Sequence, residues 1–398
     1  MASEWKTDLL GNLCLMKNGY AFKSKDFVSQ GIPVIKIKNV KPNRILVDDL
    51  SYVPTDVAEQ RKKWLIEKGE ILLTMTGNRA DGSPESWVGK AAIFNESTPY
   101  LLNQRVSALK AKDEAVIDTN YLGYYLSSWQ TQLYFIKRAN SSGGQANISP
   151  EIVMNMPVHY PPLATQRKIV SILATLDQKI KTNAAINDNL QQQAAALFAN
   201  FYDHAETEVG FTEIIQILGG GTPKTGESSY WNGNVPFFTP KDVGSPYTIS
   251  TEKTITEEGL SHCNSRLYPV NTVFVTARGT VGKVGLPGVP MAMNQSCYAL
   301  VGKETHQLLV YFYTLKAVDR LKHKASGAVF DAITTRDFES EIIMKLSDED
   351  AQGFLDVAEP IYQAVLSNSF ENLRLAALRD SLLPKLMSGE IDVSAIQL

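Results

Sequence analysis

The side chains best placed to do chemistry in this chain are hydrogen-bond donors rather than nucleophiles. Thr76, Asn78 and Arg79 lie in the turn Thr76-Gly77-Asn78-Arg79-Ala80-Asp81, and Thr276, Arg278 and Thr280 lie in the turn Thr276-Ala277-Arg278-Gly279-Thr280. Lys36 and Lys38 sit on the strand preceding the first turn, with Gln104 and Arg105 beyond it; Lys241 precedes the second, and Asn294 and Gln295 follow it. Arg, Asn, Gln and Lys hydrogen-bond base edges in a major groove, while Thr, Ser and Gly amides suit phosphates. The chemistry would be recognition of a DNA duplex. A plainer account stands beside it, since Gly, Asn and Asp are ordinary turn residues and lysines along an edge strand serve solubility. Lys322 and Lys324, with Arg320, make a basic helical end that is either phosphate-facing or solvated, and the sequence leaves both open.

Catalytic constellations are missing. Gly82 to Lys90 has the wrong spacing for a GxxxxGK[ST] phosphate loop, and Gly279-Thr280-Val281-Gly282-Lys283 is too short for one. The segment His159-Tyr160-Pro161-Pro162-Leu163 lacks the residues an amino-methyltransferase needs around Pro-Pro, and no GxSxG elbow or HExxH helix occurs. Cys14, Cys263 and Cys297 are scattered singly, and the five histidines give no ligand spacing. Neither a disulfide framework nor a metal site is expected, and no cofactor. The chain is expected to be non-catalytic.

The elements that must position the two turns come in two copies. In residues 1–160, Ile32 to Ile37, Glu70 to Met75, Val88 to Phe94 and Val106 to Leu109 read as strands, followed by one helix over about Asn120 to Ala139 and a flexible Ser141-Ser142-Gly143-Gly144-Gln145. Tyr160-Pro161-Pro162 closes the domain. Near Gly210 the plan begins again. Ile32 to Val40 answers Val235 to Val243, Leu73-Thr74-Met75-Thr76-Gly77 answers Phe274 to Gly279, Val88-Gly89-Lys90 answers Val281-Gly282-Lys283, and Asn103-Gln104 answers Asn294-Gln295. Ser142-Gly143-Gly144 then answers Ser326-Gly327-Ala328, and Ile148-Ser149 answers Ile333-Thr334. A unit made of a domain and a helix has been duplicated.

Each copy ends in a long helix. From about Gln166 to Phe201 the apolar residues step at alternating intervals of four and three, with Asn183 and Asn187 in the middle of the seam. Stepping likewise from Phe354 gives Ala358, Ile361, Val365, Asn368, Asn372, Leu375, Arg379 and Leu382, with two asparagines again at matching places. Facing amides in an antiparallel pair of helices would satisfy one another and fix register. Helices of this length suit spacers, with one domain at each end and the tail Leu382 to Ile391 returning beside the first domain.

With 398 residues, 44% hydrophobic and 20% charged, the composition is that of a soluble globular protein. No apolar run could cross a bilayer and the start lacks signal-peptide character, so a cytoplasmic location is expected. Net charge is −3, unevenly distributed: residues 1–160 hold 19 Lys and Arg against 16 Asp and Glu, residues 349–398 hold 3 against 8. A duplex binder of this balance would need local basic loops or positive surface from a partner.

Four stretches carry a resemblance to a known family: Gly19-Tyr20-Ala21-Phe22-Lys23-Ser24-Lys25-Asp26-Phe27, Gly69 to Gly77, Pro161-Pro162-Leu163 leading to Gln166, and Leu375 to Ile391. In these the chain resembles the specificity (S) subunits of type I restriction-modification systems. The resemblance implies an α+β fold with two mixed α/β target recognition domains, separated by two long antiparallel coiled-coil helices in a pseudo-twofold internal repeat. Residues 1–160 would be the first recognition domain, 161–206 the first spacer helix, 207–348 the second domain, and 349–398 the second spacer helix with the C-terminal tail. Each domain would read half of a bipartite double-stranded DNA target, with the helices as a ruler. The helices would also dock two methyltransferase (M) subunits, which bring S-adenosylmethionine and flip an adenine for methylation; restriction (R) subunits would complete the assembly. The second copy departs from the pattern in lacking the Pro-Pro-Leu helix start, having Lys345 to Asp350 instead, and its motifs are weaker before Gly219. The alternative is a coiled-coil protein-binding adaptor without DNA specificity.

Overall fold

A computed structural model describes residues 5–78, 86–97, 99–142, 145–324, 332–393 and 396. The chain divides into two compact units, residues 1–178 with 375–398, and residues 179–374.

In the first unit a four-stranded antiparallel sheet runs in the order Cys14–Asn18, Val106–Ala111, Ile71–Thr74, Ala91–Ile93. Its middle strand, Ile71–Thr74, is buried at every position, as befits a strand covered on both faces. One face packs on the helices Thr119–Ser127 and Trp129–Arg138, and the other on a smaller sheet, Leu101–Leu102, Ile32–Ile35, Ser51–Val53. Lys6–Leu9 pairs antiparallel with Pro157–Tyr160 and brings the start of the unit to the start of the first long helix.

The second unit repeats this plan. Ile215–Gly219, Cys297–Gly302, Val273–Thr276 and Val284–Pro287 take the same order, extended by Tyr247–Thr248. Lys253–Ile255, Trp231–Phe238 and Ala292–Met293 form the small sheet, and Thr207–Gly210 pairs with Ile342–Lys345. The repeat therefore extends upstream of Gly219, where its sequence signal fades: Phe211–Ile214 is the short helix corresponding to Leu10–Leu13.

Several elements differ from the sequence reading, each for a local reason. The strand at Ile32 ends at Ile35 and gives way to a 3-10 turn, Ile37–Asn39, so Lys36 and Lys38 sit on a turn rather than a strand. Gly89 has φ +78°, which delays the next strand to Ala91. The expected single helix over Asn120 to Ala139 is two, because Ser128 takes an extended conformation and caps the second with its hydroxyl. Its counterpart Gln307–Lys324 is unbroken. Ser141, Ser142 and Gln145 belong to a paired hairpin, Asn140–Ser142 with Gln145–Asn147; Gly143 and Gly144 lie outside the described residues, as do Ser326, Gly327 and Ala328.

The long helices are Leu163–Asp203 and Asp348–Ser388. The first begins right after Pro161-Pro162, and Gln166, fully buried, ties that start down: its amide donates to Pro161 O (2.8 Å) and Val116 O (3.1 Å) and accepts from Asp118 N (2.9 Å). The second starts without prolines. Ser347 Oγ accepts from Asp350 N (3.1 Å), and the carboxylates Asp348, Glu349 and Asp350 suit the positive end of the helix dipole. Pro360 and Pro384 lie inside it, so packing overrides local propensity. The expected tail from Leu382 is thus mostly helix, and Leu383, Leu386 and Met387 are buried in the core of the first unit with Leu10, Ile169 and Leu173.

Within the second unit the helices meet through the asparagines. Asn183 Nδ2 donates to Asn372 Oδ1 (2.9 Å) and Asn368 Nδ2 to Asn187 Oδ1 (2.8 Å), an antiparallel register. Asn183 also donates to Glu371 (2.7 Å), which holds that carboxylate's pKa low, and Asn187 to Val365 O (3.2 Å). Beyond Ala194 the buried positions pass to Phe198 and Tyr202, leaving Phe201 half-buried, as a 3.6-residue period requires. In the first unit the corresponding polar contact is Arg379 Nη1 to Asp177 Oδ1 (2.7 Å), with Tyr124 OH donating to the other carboxylate oxygen (2.6 Å).

Candidate nucleic-acid interface

Both units build their turns on the same backbone frame. Asn103 N donates to Ile35 O (3.1 Å), and Asn294 N to Phe238 O (2.9 Å). Glycine is required alongside: a Cβ on Gly19 would lie 2.0 Å from Asn103 O, and one on Gly220 would lie 2.1 Å from Asn294 O. Thr74 Oγ1 accepts from Lys90 N and Thr276 Oγ1 from Lys283 N, both at 2.9 Å. Gly89 and Gly282, with φ +78° and +74°, donate to Thr74 O and Thr276 O respectively. Met75 O and Ala277 O each accept from an isoleucine N, Ile148 and Ile333, at 2.9 Å.

These contacts set the correspondence between the units and keep the motif order, with Gly77 opposite Gly279 and Gly89 opposite Gly282. Thr276 answers Thr74, so Arg278 answers Thr76. Arg79 itself lies outside the described residues. Lys38 and Lys241 do correspond, each next to a side chain that caps its turn: Asn39 Oδ1 accepts from Lys36 N (3.0 Å) and Asp242 Oδ2 from Thr239 N (2.8 Å).

In the second unit the frame opens a cleft of about 440 Å³. Lys241, Arg278, Thr280 and Asn294 all line it, together with Glu252 and Lys253, which sequence motifs did not single out. Lys241, Arg278 and Thr280 are exposed. Thr276 is fully buried, its hydroxyl donating to Thr280 O, so it shapes the turn from behind. Gln295 is exposed and accepts from Thr222 Oγ1; it is not among the residues lining the cleft.

In the first unit the candidate residues are more engaged. Lys36 lies 3.6 Å over the Phe27 ring, and burial followed by the Lys38 charge lowers its pKa. Lys38 pairs with Asp49 (2.6 Å), and Arg105 Nη1 donates to Gln145 Oε1 (3.0 Å). Thr76 is buried and donates to Asn147 Oδ1 (2.8 Å). Asn78 is exposed and donates to Ser86 Oγ (3.1 Å); Gln104 is exposed. An additional cation-aromatic group accompanies them: Arg61 lies 4.7 Å over Tyr20, which packs at 4.6 Å on Trp64.

The basic helical end resolves into two roles. Arg320 and Lys324 both approach the buried carboxylate of Glu341, and Arg320 Nη2 donates to Tyr202 OH (2.8 Å), so these cations tie a helix end into the unit. Lys322 is exposed and close to Gly282. Burial pushes the thiols of Cys14 and Cys297 up to about 12, which leaves them inert. Among the described residues no cluster of three or more His, Cys, Asp or Glu could hold a metal ion, and no helix is long and apolar enough to cross a membrane.

The model of the type I restriction modification DNA specificity domain matches residues 2–192 and again 207–349. The chain belongs to this family. It is similar over nearly its full length to the type I restriction enzyme HindI specificity subunit of Haemophilus influenzae, with 24% identity across 98% of this chain and 100% of that one. A putative type I restriction enzyme MjaX specificity subunit of Methanocaldococcus jannaschii is 21% identical across 98% of this chain and 94% of its own. The crystal structure of a type I restriction-modification S subunit from M. genitalium shares the fold, with TM-score 0.56 at 14% identity over 97% of this chain and 96% of that chain. The two family matches fall one on each structural repeat, and the break between them at residues 193–206 falls in the last turns of the first long helix and the short link after it.

Proposed function

We propose that this chain is the sequence-reading subunit of a type I restriction-modification complex. Each structural repeat would read one half of a bipartite double-stranded DNA target, and the two long helices would set the unread spacer. The observation that carries this reading is the cleft of the second unit, where exposed Arg278, Lys241 and Thr280 converge with half-buried Asn294 on a frame that the first unit repeats. Guanidinium and amide groups suit base edges, and lysines suit phosphates. Exposed surface on the helices would dock two methyltransferase subunits, and S-adenosylmethionine would belong to them, as cleavage would to restriction subunits. This chain would act in the cytoplasm as the non-catalytic address of the complex.

The test is selection of bound sequences from a random duplex pool by the full-length chain co-expressed with a methyltransferase subunit. A split motif with a fixed unread spacer is expected, and removal of one turn from both helices should change the spacer. A well-formed complex that enriches no motif would favour the protein-binding adaptor.

A further inference from the structure

The cleft of the second unit contains one residue of the wrong sign for a phosphate-binding surface. Glu252 lines it with Lys241, Lys253 and Arg278. The backbone of Glu252 is held in place, because its N–H donates to Asp242 Oδ1 (2.8 Å) while the other oxygen of Asp242 accepts from Thr239 N and Thr239 Oγ1 (2.8 and 2.6 Å). The Asp242 carboxylate is therefore fully engaged. Among the described residues, none forms a hydrogen bond or ion pair with the side chain of Glu252, Lys241 or Arg278. Strand pairing shows how the first unit treats the same edge: Val34 faces Ser51 and Phe237 faces Lys253, so Leu50 stands where Glu252 does. Leu50 packs on the core, and the nearby acid, Asp49, closes on Lys38. The second unit leaves its acid open and its lysine unpaired.

A carboxylate on a surface that docks on DNA is repelled by phosphates unless it meets a hydrogen-bond donor. In the major groove the donors are the exocyclic amino groups of cytosine and adenine. Adenine sets the N7 acceptor beside its amino group, which opposes a carboxylate and favours the amides of Asn or Gln; cytosine presents N4 without that acceptor. We infer that Glu252 is a specificity-determining residue of the second unit, accepting a hydrogen bond from the amino group of a cytosine. The inference rests on the DNA reading proposed above.

The experiment compares the wild-type chain with E252Q and E252A, each full-length and co-expressed with the methyltransferase subunit, in selection from a random duplex pool. The wild type should enrich cytosine at one position of one half-site. E252Q should move that position toward adenine and E252A should relax it, each weakening binding of the wild-type site about tenfold, with the other half-site and the spacer unchanged. Unaltered base preferences in both variants, with affinity the same or uniformly raised, would show a solvated surface charge and overturn the inference alone. Absence of any motif with the wild type would overturn the DNA reading and the inference with it.

Discussion

The two units share a backbone frame and differ in how they finish it. In the second, Lys241, Arg278 and Glu252 face a cleft with their charged groups unengaged. In the first, Lys36 rests on Phe27, Lys38 on Asp49, and Arg105 on Gln145. The frame is held by main-chain groups, buried threonines and glycines, none of which dictates what the exposed side chains must be. The difference teaches that the scaffold and the side chains exposed on it can change independently, and that equivalent positions need not make equivalent contacts.

The largest effects should come from breaking the shared frame. Gly19→Ala and Gly220→Ala each drive a methyl into a carbonyl oxygen and should each destabilise by about 3 kcal/mol, measured by denaturant unfolding; a neutral result at one site would mean the frames are not equivalent. Next, Thr276→Val strips a buried acceptor from Lys283 N, and Thr74→Val does the same to Lys90 N. Losses of about 2 kcal/mol are expected in both, and a marked inequality would again separate the copies.

Smaller effects should sharpen the contrast at the surface. Arg278→Ala should weaken the half-site read by the second unit by about 1–2 kcal/mol and relax its sequence preference, whereas Arg105→Ala, whose guanidinium already has a partner, should cost less in a direct binding titration. Equal losses would count against the difference in engagement. Smallest of all, Asp49→Ala should free Lys38 and tighten binding by under about 1 kcal/mol, since exposed ion pairs are weak. A salt titration would show it as a steeper dependence.

Much of this was legible in the chain. Motif order revealed the duplication because short turns with Gly, Asn and Thr are local, and the helical seam revealed four asparagines because its period is local too. What failed was tertiary. Thr76 and Thr276 open similar turns by residue type, yet their hydrogen bonds give Thr276 the place of Thr74. The burial of Thr76 and Thr276, the closure of Asp49 on Lys38, and the capture of Arg320 and Lys324 by Glu341 join residues distant enough in sequence that no local pattern announces them. Pro360 and Pro384 stand inside a helix that packing against apolar neighbours keeps continuous, whereas Ser128, an unremarkable residue in a helical stretch, makes a real break.

One consequence of the asparagine register concerns errors in assembly. A helix pair with a single amide contact would gain nothing from its correct alignment that a neighbouring turn could not imitate with a different polar residue. Here two contacts lie four residues apart. Sliding one helix by a turn leaves a single new pair, Asn183 against Asn368 or Asn187 against Asn372, and separates the remaining two amides, at about 1–3 kcal/mol for the one from the first helix, which is buried. The duplicated asparagines thus act as a parity check, in which a misalignment that satisfies half the code is rejected by the other half.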